Sequence, residues 1–292
     1  MTDWTDGFWW SNDGLRLHYR DYAGAVAGRP PIICIPGLTR NARDWEGVAA
    51  RLAGEWRVIC VDLRGRGESA YAKDPMTYVP LVYLQDLAAL LRTLEVEQFV
   101  LFGTSLGGLL SMLISSAEQG RVEGVLVNDI GPELDEAGIG RIRGYVGRPS
   151  TWPTWVHAAR DLSEVHKVAH PNWDLEDWLR YAKRVAKLSN SGRVVFDYDM
   201  RIAEPFKIAT PVAGMDMWAA WRALAQVPTL IVRGASSDIL SPGTMERMKA
   251  ELGLAEAVTV PGVGHAPTLE EPEAEAAIDR LLARVEERLA LA

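Results

Sequence analysis

The stretch VLFGTSLGGLL, residues 100–110, decides how the chain is read. An apolar run of strand formers stops at Gly103-Thr104-Ser105, then resumes as small and apolar residues at helical spacing. The local reading is a strand, a tight turn and a helix. Glycines at 103, 107 and 108 suit a turn in which strand and helix nearly touch. Such a turn also has a chemical use. It would hold Ser105 at a helix N-terminus, where backbone N–H groups and the positive end of the helix dipole gather. Gly-Thr-Ser-Leu-Gly matches G-x-S-x-G, and the strand-to-helix context gives the match its weight. A pentapeptide recurs by chance, so the flanking sequence has to supply partners for the serine.

Working outward, short and nearly continuous apolar runs recur at PIICIPG, RVICVDLRG, QFVLFG and EGVLVNDIG. Parallel strands covered on both faces read this way. Helical patterns lie between them, such as TYVPLVYLQDLAALLRTL, which predicts a core face of Leu84, Leu87, Ala88, Leu91 and Leu94. The rhythm returns after residue 225 with PTLIVRGAS, a helix from about Pro242 to Leu252, the strand AVTVPG and an amphipathic C-terminal helix. GLRLHYRDY alternates and suits an antiparallel edge strand. The pattern predicts a mostly parallel α/β sheet with helices on both faces. Residues 132–224 break it. They hold six of the eleven tryptophans (Trp152, Trp155, Trp173, Trp178, Trp218 and Trp221) and no convincing strand. They are expected to form a mostly helical insertion within one domain.

Composition narrows the function classes. The 292 residues are 48% hydrophobic and 24% charged, which is ordinary for a globular protein with a full core. The formal net charge is −8 and no concentrated basic face is visible, so a nucleic-acid partner is not expected. MTDWTDGFWW carries acids in place of a basic region and an apolar stretch, so no secretory signal is expected. No apolar run approaches the ~20 residues of a membrane span, and a cytoplasmic location is the default. Cys34 and Cys60 sit inside apolar runs and are expected to be buried free thiols.

A serine hydroxyl is a weak nucleophile; it needs a base, and the base needs an orienting carboxylate. His18 falls in a strand. His157, His166 and His170 fall in the insertion. His166 and His170 are spaced i, i+4 without the glutamate of H-E-x-x-H, so no metal site is expected. His265 lies in a glycine-rich loop just after the last strand, where a base can reach the sheet edge. Two carboxylates compete: Asp238 after PTLIVRGAS, and Asp129 at the end of GVLVND. Either could be a helix cap or turn residue, a reading that suits Asp129 better, so Asp238 is the expected acid, in the order Ser105, Asp238, His265.

With these residues in view, the chain resembles an α/β-hydrolase-fold serine esterase over nearly its whole length. GTSLGG, the upstream DLRGRGES, the acid loop RGASSD and the histidine loop GVGHAP all occur in sequence. The resemblance implies an eight-stranded, mostly parallel sheet, with a core of residues 1–131 and 225–292. It also implies a helical cap, 132–224, inserted after the sixth strand. It implies backbone N–H donors for an oxyanion at Leu38 and Leu106, although Pro36-Gly37 stands where the family usually has His-Gly. Ester hydrolysis through an acyl-enzyme is the expected activity, with carbon–carbon bond hydrolysis, lactone opening and a receptor with a vestigial triad as alternatives. No cofactor is expected. The expected partner is a small-molecule substrate, with a homodimer left open. Trp152, Trp155 and Arg40 are the candidate substrate-binding residues, and Arg43 stands beside Arg40 as a candidate carboxylate contact.

Overall fold

A computed structural model describes residues 4–208 and 212–291. Among the described residues, eleven strands occur in chain order: β1 (Thr5–Trp10), β2 (Arg16–Tyr22), β3 (Ile32–Ile35), β4 (Val58–Asp62), β5 (Phe99–Thr104), β6 (Val122–Asn128), β7 (Thr151–Trp152), β8 (Ala186–Leu188), β9 (Val194–Phe196), β10 (Thr229–Gly234) and β11 (Ala255–Val260). Ten α-helices accompany them: α1 (Glu46–Leu52), α2 (Pro80–Thr93), α3 (Leu106–Ala117), α4 (Glu136–Tyr145), α5 (Trp155–His166), α6 (Leu175–Val185), α7 (Ala203–Ile208), α8 (Met217–Arg222), α9 (Pro242–Glu251) and α10 (Pro272–Leu291). None of the described helices is long and apolar enough to cross a membrane.

Eight strands form one sheet in the order β1-β2-β4-β3-β5-β6-β10-β11. The first two pairings are antiparallel and every later one is parallel. Side chains alternate across a strand, and here both faces are buried. In β3, Ile33 and Ile35 join the core on one face while Ile32 and Cys34 join the other. Phe99 and Leu101 of β5 divide from Val100 and Phe102 in the same way. The first core is closed by α2, α3, α8 and α9, the second by α1 and α10. Cys34 and Cys60 are neighbours in register, both buried and unbridged.

Three local expectations are corrected. β2 is antiparallel but not the edge, because β1 pairs along its outer side. The buried face of α2 runs through Tyr83, Leu87, Leu90 and Leu91, while Leu84, Ala88 and Leu94 are only partly buried. The turn has a polar cause. Asp86 faces inward to receive the buried Arg64 in a paired contact at 2.7 and 2.7 Å, and the Trp9 indole donates to its carbonyl. The segment between β6 and β10 contains a small antiparallel sheet, β7-β9-β8, as well as helices. Trp152, Trp178, Leu162 and Val194 form a separate apolar cluster there. Its last helix, α8, behaves differently: α8 packs on α3 and Trp221 is fully buried in the main core.

Candidate functional site

The loops after β3, β5, β6, β10 and β11 all leave the carboxyl end of the parallel sheet, where ligands of open α/β sheets bind. Ser105 stands between β5 and α3 at φ 52°, ψ −116°, a conformation that L-residues seldom adopt. The turn closes only because its neighbours lack side chains. A Cβ on Gly103 would lie 2.3 Å from the Gly107 carbonyl oxygen, and one on Gly107 2.0 Å from that of Ile35.

The serine Oγ lies 3.1 Å from His265 Nε2, and His265 Nδ1 lies 2.8 Å from Asp129 Oδ2. A carboxylate oxygen can only accept, so Nδ1 carries the proton and Nε2 is left to accept from the serine hydroxyl. Asp129 itself sits at φ 56° with its side chain fully buried. The Gly234 N–H donates to its Oδ1 at 2.9 Å, and the Ser237 hydroxyl donates to its Oδ2 at 2.7 Å. These bonds fix the carboxylate beneath the imidazole. The preceding residue, Asn128, donates to the Pro267 carbonyl at 2.9 Å and to Thr104 Oγ1 at 3.1 Å. It ties the histidine loop to the strand that carries the serine.

Asp238 is placed elsewhere. It forms a two-bond pair with Arg141 of α4, at 2.6 and 2.9 Å, which holds its carboxyl below the usual range. Asp238 is the acid expected from the sequence; the contact with His265 is made by Asp129. What separates the two is an arginine 97 positions away in the chain, a pairing no local pattern reveals.

Leu106 begins α3, and Leu38 follows Gly37, whose added Cβ would stand 3.7 Å from Ser105 Cβ. Neither N–H has a protein acceptor among the described residues. The Leu38 carbonyl is clamped by Arg66, whose Nε and Nη2 donate to it at 2.9 and 2.7 Å. Arg66 is fully buried and also donates to the Arg64 carbonyl and the Tyr83 hydroxyl. DLRGRGES contains this arginine, but only the fold shows what it holds.

Above Ser105 lies a cavity of about 150 Å³, comparable to one that encloses a benzene-sized ligand. Its walls come from the sheet loops and from the segment between β6 and β10. Arg40 lines it; its guanidinium lies 4.5 Å over the Tyr181 ring and makes two 2.6 Å bonds to Asp44. Trp152 and Trp155 are not among the lining residues; Trp152 packs edge-on against Phe196 inside the small cluster, and its indole donates to Asp161. The tryptophans that reach the cavity are Trp45 and Trp173. Arg43 instead joins two parts of the molecule, donating to the Arg184 carbonyl and pairing with the buried Asp197 at 2.6 Å. His166, His170, Tyr145 and Tyr181 also line the cavity. The sequence signal for the two histidines is their separation of four residues; His166 ends α5 and His170 lies just beyond it. Among the described residues, no cluster of three or more histidine, cysteine, aspartate or glutamate side chains is placed to hold a metal ion.

A mostly parallel eight-stranded sheet with a serine at a strained strand-to-helix turn is the architecture of alpha/beta hydrolases. The sequence profile of the alpha/beta hydrolase family matches residues 32–278, and the chain belongs to that family. It is 35% identical over 263 residues to a 3-hydroxybutyrate-oligomer hydrolase of Cupriavidus necator, covering 88% of this chain and 89% of the relative. It is 27% identical over 253 residues to a 2-(acetamidomethylene)succinate hydrolase of Mesorhizobium japonicum, covering 84% of each. A crystal structure of an alpha/beta hydrolase from Novosphingobium aromaticivorans superposes with a TM-score of 0.93 at 55% identity, over 97% of this chain and 99% of that one.

Proposed function

We propose that the protein hydrolyses carboxylic esters through an acyl-enzyme on Ser105, with His265 as base and Asp129 as the orienting acid. The single observation that carries this reading is the unbroken run of contacts from Ser105 Oγ to His265 at 3.1 Å and from His265 to Asp129 at 2.8 Å. His265 Nε2 takes the hydroxyl proton as Oγ attacks the ester carbonyl carbon. Asp129 offsets the positive charge that develops on the imidazole. The Leu38 and Leu106 N–H groups receive the oxyanion, each worth roughly 3 kcal/mol in the transition state. His265 then protonates the departing alcohol. Water next attacks the acyl-enzyme, giving up a proton to His265, and the acid leaves with Ser105 restored.

The cavity volume admits a short acyl or alcohol part. The resemblance to a 3-hydroxybutyrate-oligomer hydrolase supports small hydroxy-acid esters as the substrate class. The test is a panel of p-nitrophenyl esters of increasing chain length, 3-hydroxybutyrate dimer and trimer, a lactone and a vinylogous diketone, run with wild type and Ser105→Ala. Turnover of the hydroxy-acid esters, lost in Ser105→Ala, supports the proposal. Turnover confined to the diketone would replace ester cleavage by carbon–carbon cleavage. No turnover at all, with no labelling of Ser105 by a fluorophosphonate, overturns the reading.

A further inference from the structure

Besides His265, two of the polar groups lining the cavity are imidazoles. His166 ends α5 and His170 follows four residues later; both line the cavity that Ser105 opens into. His166 meets the Tyr145 ring edge-on at 5.4 Å and the Tyr181 ring at 5.6 Å. His170 is stacked on Trp173 with ring centroids 3.7 Å apart and planes within 6°. Their rings are thus held in place by aromatic packing. Yet among the described residues no ring nitrogen of either histidine is hydrogen-bonded. Polar groups fixed in orientation with unused hydrogen-bonding capacity are what a ligand site requires.

We propose that His166 and His170, with Arg40 beside them, form a subsite for a carboxylate of the substrate, so that the ester cleaved at Ser105 is one carrying a free acid group. The inference rests on the ester-hydrolase reading above and adds the chemistry of the substrate. The charges around the two rings favour an anion. Arg40 and Arg141 bear on His166, and Arg40 bears on His170, with Asp177 the one opposing acid among the described residues. Asp44 is the only carboxylate lining the cavity among the described residues, and Arg40 already occupies both of its oxygens. Arg141 is engaged by Asp238, and Arg184, at the cavity wall, by Glu270. Burial first, then these arginines, lowers both histidines to about 3, so the rings are neutral at pH 7. A bound carboxylate works against that balance by favouring the protonated ring, by roughly one to three pH units, so binding takes up a fraction of a proton at pH 6 and more below it. The donors at this site are then charge-assisted and complement an acid. With so small a cavity, the acid group lies only a few atoms from the scissile carbonyl.

The test compares the 3-hydroxybutyrate dimer as its free acid with the same dimer as its terminal carboxamide. We expect wild type to favour the acid by roughly tenfold or more in kcat/KM at pH 6, the scale of a hydrogen bond to a charged group. The acid-to-amide ratio cancels the titration of His265, and it should fall as pH rises, because the proton taken up on binding becomes scarcer. In His166→Phe/His170→Phe the ratio should approach one and lose its pH dependence. As a second measurement that needs no histidine variant, 3-hydroxybutyrate is titrated calorimetrically into Ser105→Ala in two buffers of different ionisation enthalpy. Net proton uptake is expected. Equal rates on acid and amide in wild type, or binding with no proton uptake, would overturn the carboxylate subsite while leaving ester hydrolysis intact. A ratio that survives in the double variant would place the recognition elsewhere. Failure of both substrates to turn over would instead count against the ester-hydrolase reading itself.

Discussion

Asp129 and Asp238 both follow a strand of the same sheet, and the two differ only in what their side chains meet. Asp129 accepts from Gly234, Ser237 and His265 in a fully buried position. Asp238 is about two-fifths exposed and held by Arg141. Asparagine at 129 would keep the shape but lose the charge, and its amide would favour the wrong imidazole tautomer. We expect Asp129→Asn to lower kcat by about 10²- to 10⁴-fold, the scale of the same change in a serine protease triad. Asp238→Asn loses only a half-exposed ion pair, and should cost less than about tenfold in kcat and under ~1 kcal/mol in stability. Both are measured on one ester over a pH series, with denaturant midpoints alongside. A crippled Asp238→Asn beside an active Asp129→Asn would return the acid role to Asp238. Ser105→Ala should cost on the order of 10⁴-fold or more in kcat with an unchanged denaturant midpoint.

Among the elements, the loop after β3 depends on one side chain from the loop after β4. Arg66 has no carboxylate partner among the described residues; its guanidinium is spent on the Leu38 and Arg64 carbonyls, the Tyr83 hydroxyl, and the Tyr83 ring 4.9 Å away. It thereby sets the position of Leu38, the donor proposed for the oxyanion. We expect Arg66→Met to lower kcat roughly tenfold or more on every ester, short or long, with little change in KM, because misplacing one oxyanion donor is a transition-state loss. A change confined to KM would make Arg66 a purely structural residue. Motif reading saw DLRGRGES and attached no role to its arginines. It placed the strands well, since their apolar runs are short and bounded by glycine and proline. It could not place the rotation of α2, which follows from the Arg64–Asp86 pairing between separate elements. Nor did it find β7, β8 and β9, which are two or three residues long and carry no usable periodicity.

Over the whole molecule, three histidines give stability an asymmetric dependence on pH. Burial and neighbouring cations hold His166 and His170 near 3 in the fold, while an unfolded chain binds protons to them near 6.5. The unfolded state therefore binds more protons below 6.5, and stability falls as pH drops from there toward 3. The slope is up to about 1.4 kcal/mol per pH unit for each ring. His18 opposes them. Burial works against its charge, but Asp62 at 2.7 Å and Asp6 at 3.0 Å outweigh that and raise it above the ordinary value. Its contribution is full below the ordinary histidine value and is lost as pH rises through the raised one. We expect His166→Phe/His170→Phe to lose less stability than wild type between pH 6.5 and 4.5, and His18→Asn to lose less than wild type as pH rises above 6.5. Denaturant unfolding at four pH values checks both, and parallel curves for all three proteins would refute the assignment.

The sequence by itself determined the parallel sheet, the serine turn and the histidine loop. Each rests on local rules: apolar runs that can only be buried strands, and glycines required where backbones touch at Gly103 and Gly107. Ser105 and His265 were legible because a turn and a loop fix where a nearby side chain can go. The acid that meets His265, the clamp on Leu38 and the paired imidazoles over the serine were decided by tertiary structure alone. Each depends on contacts between segments far apart in the chain: Arg141 taking Asp238, Arg66 reaching Leu38, and the end of α5 bordering the cavity that Ser105 lines. Such contacts leave no periodicity, because a side chain's partner is set by the packing of whole elements and not by its neighbours in sequence.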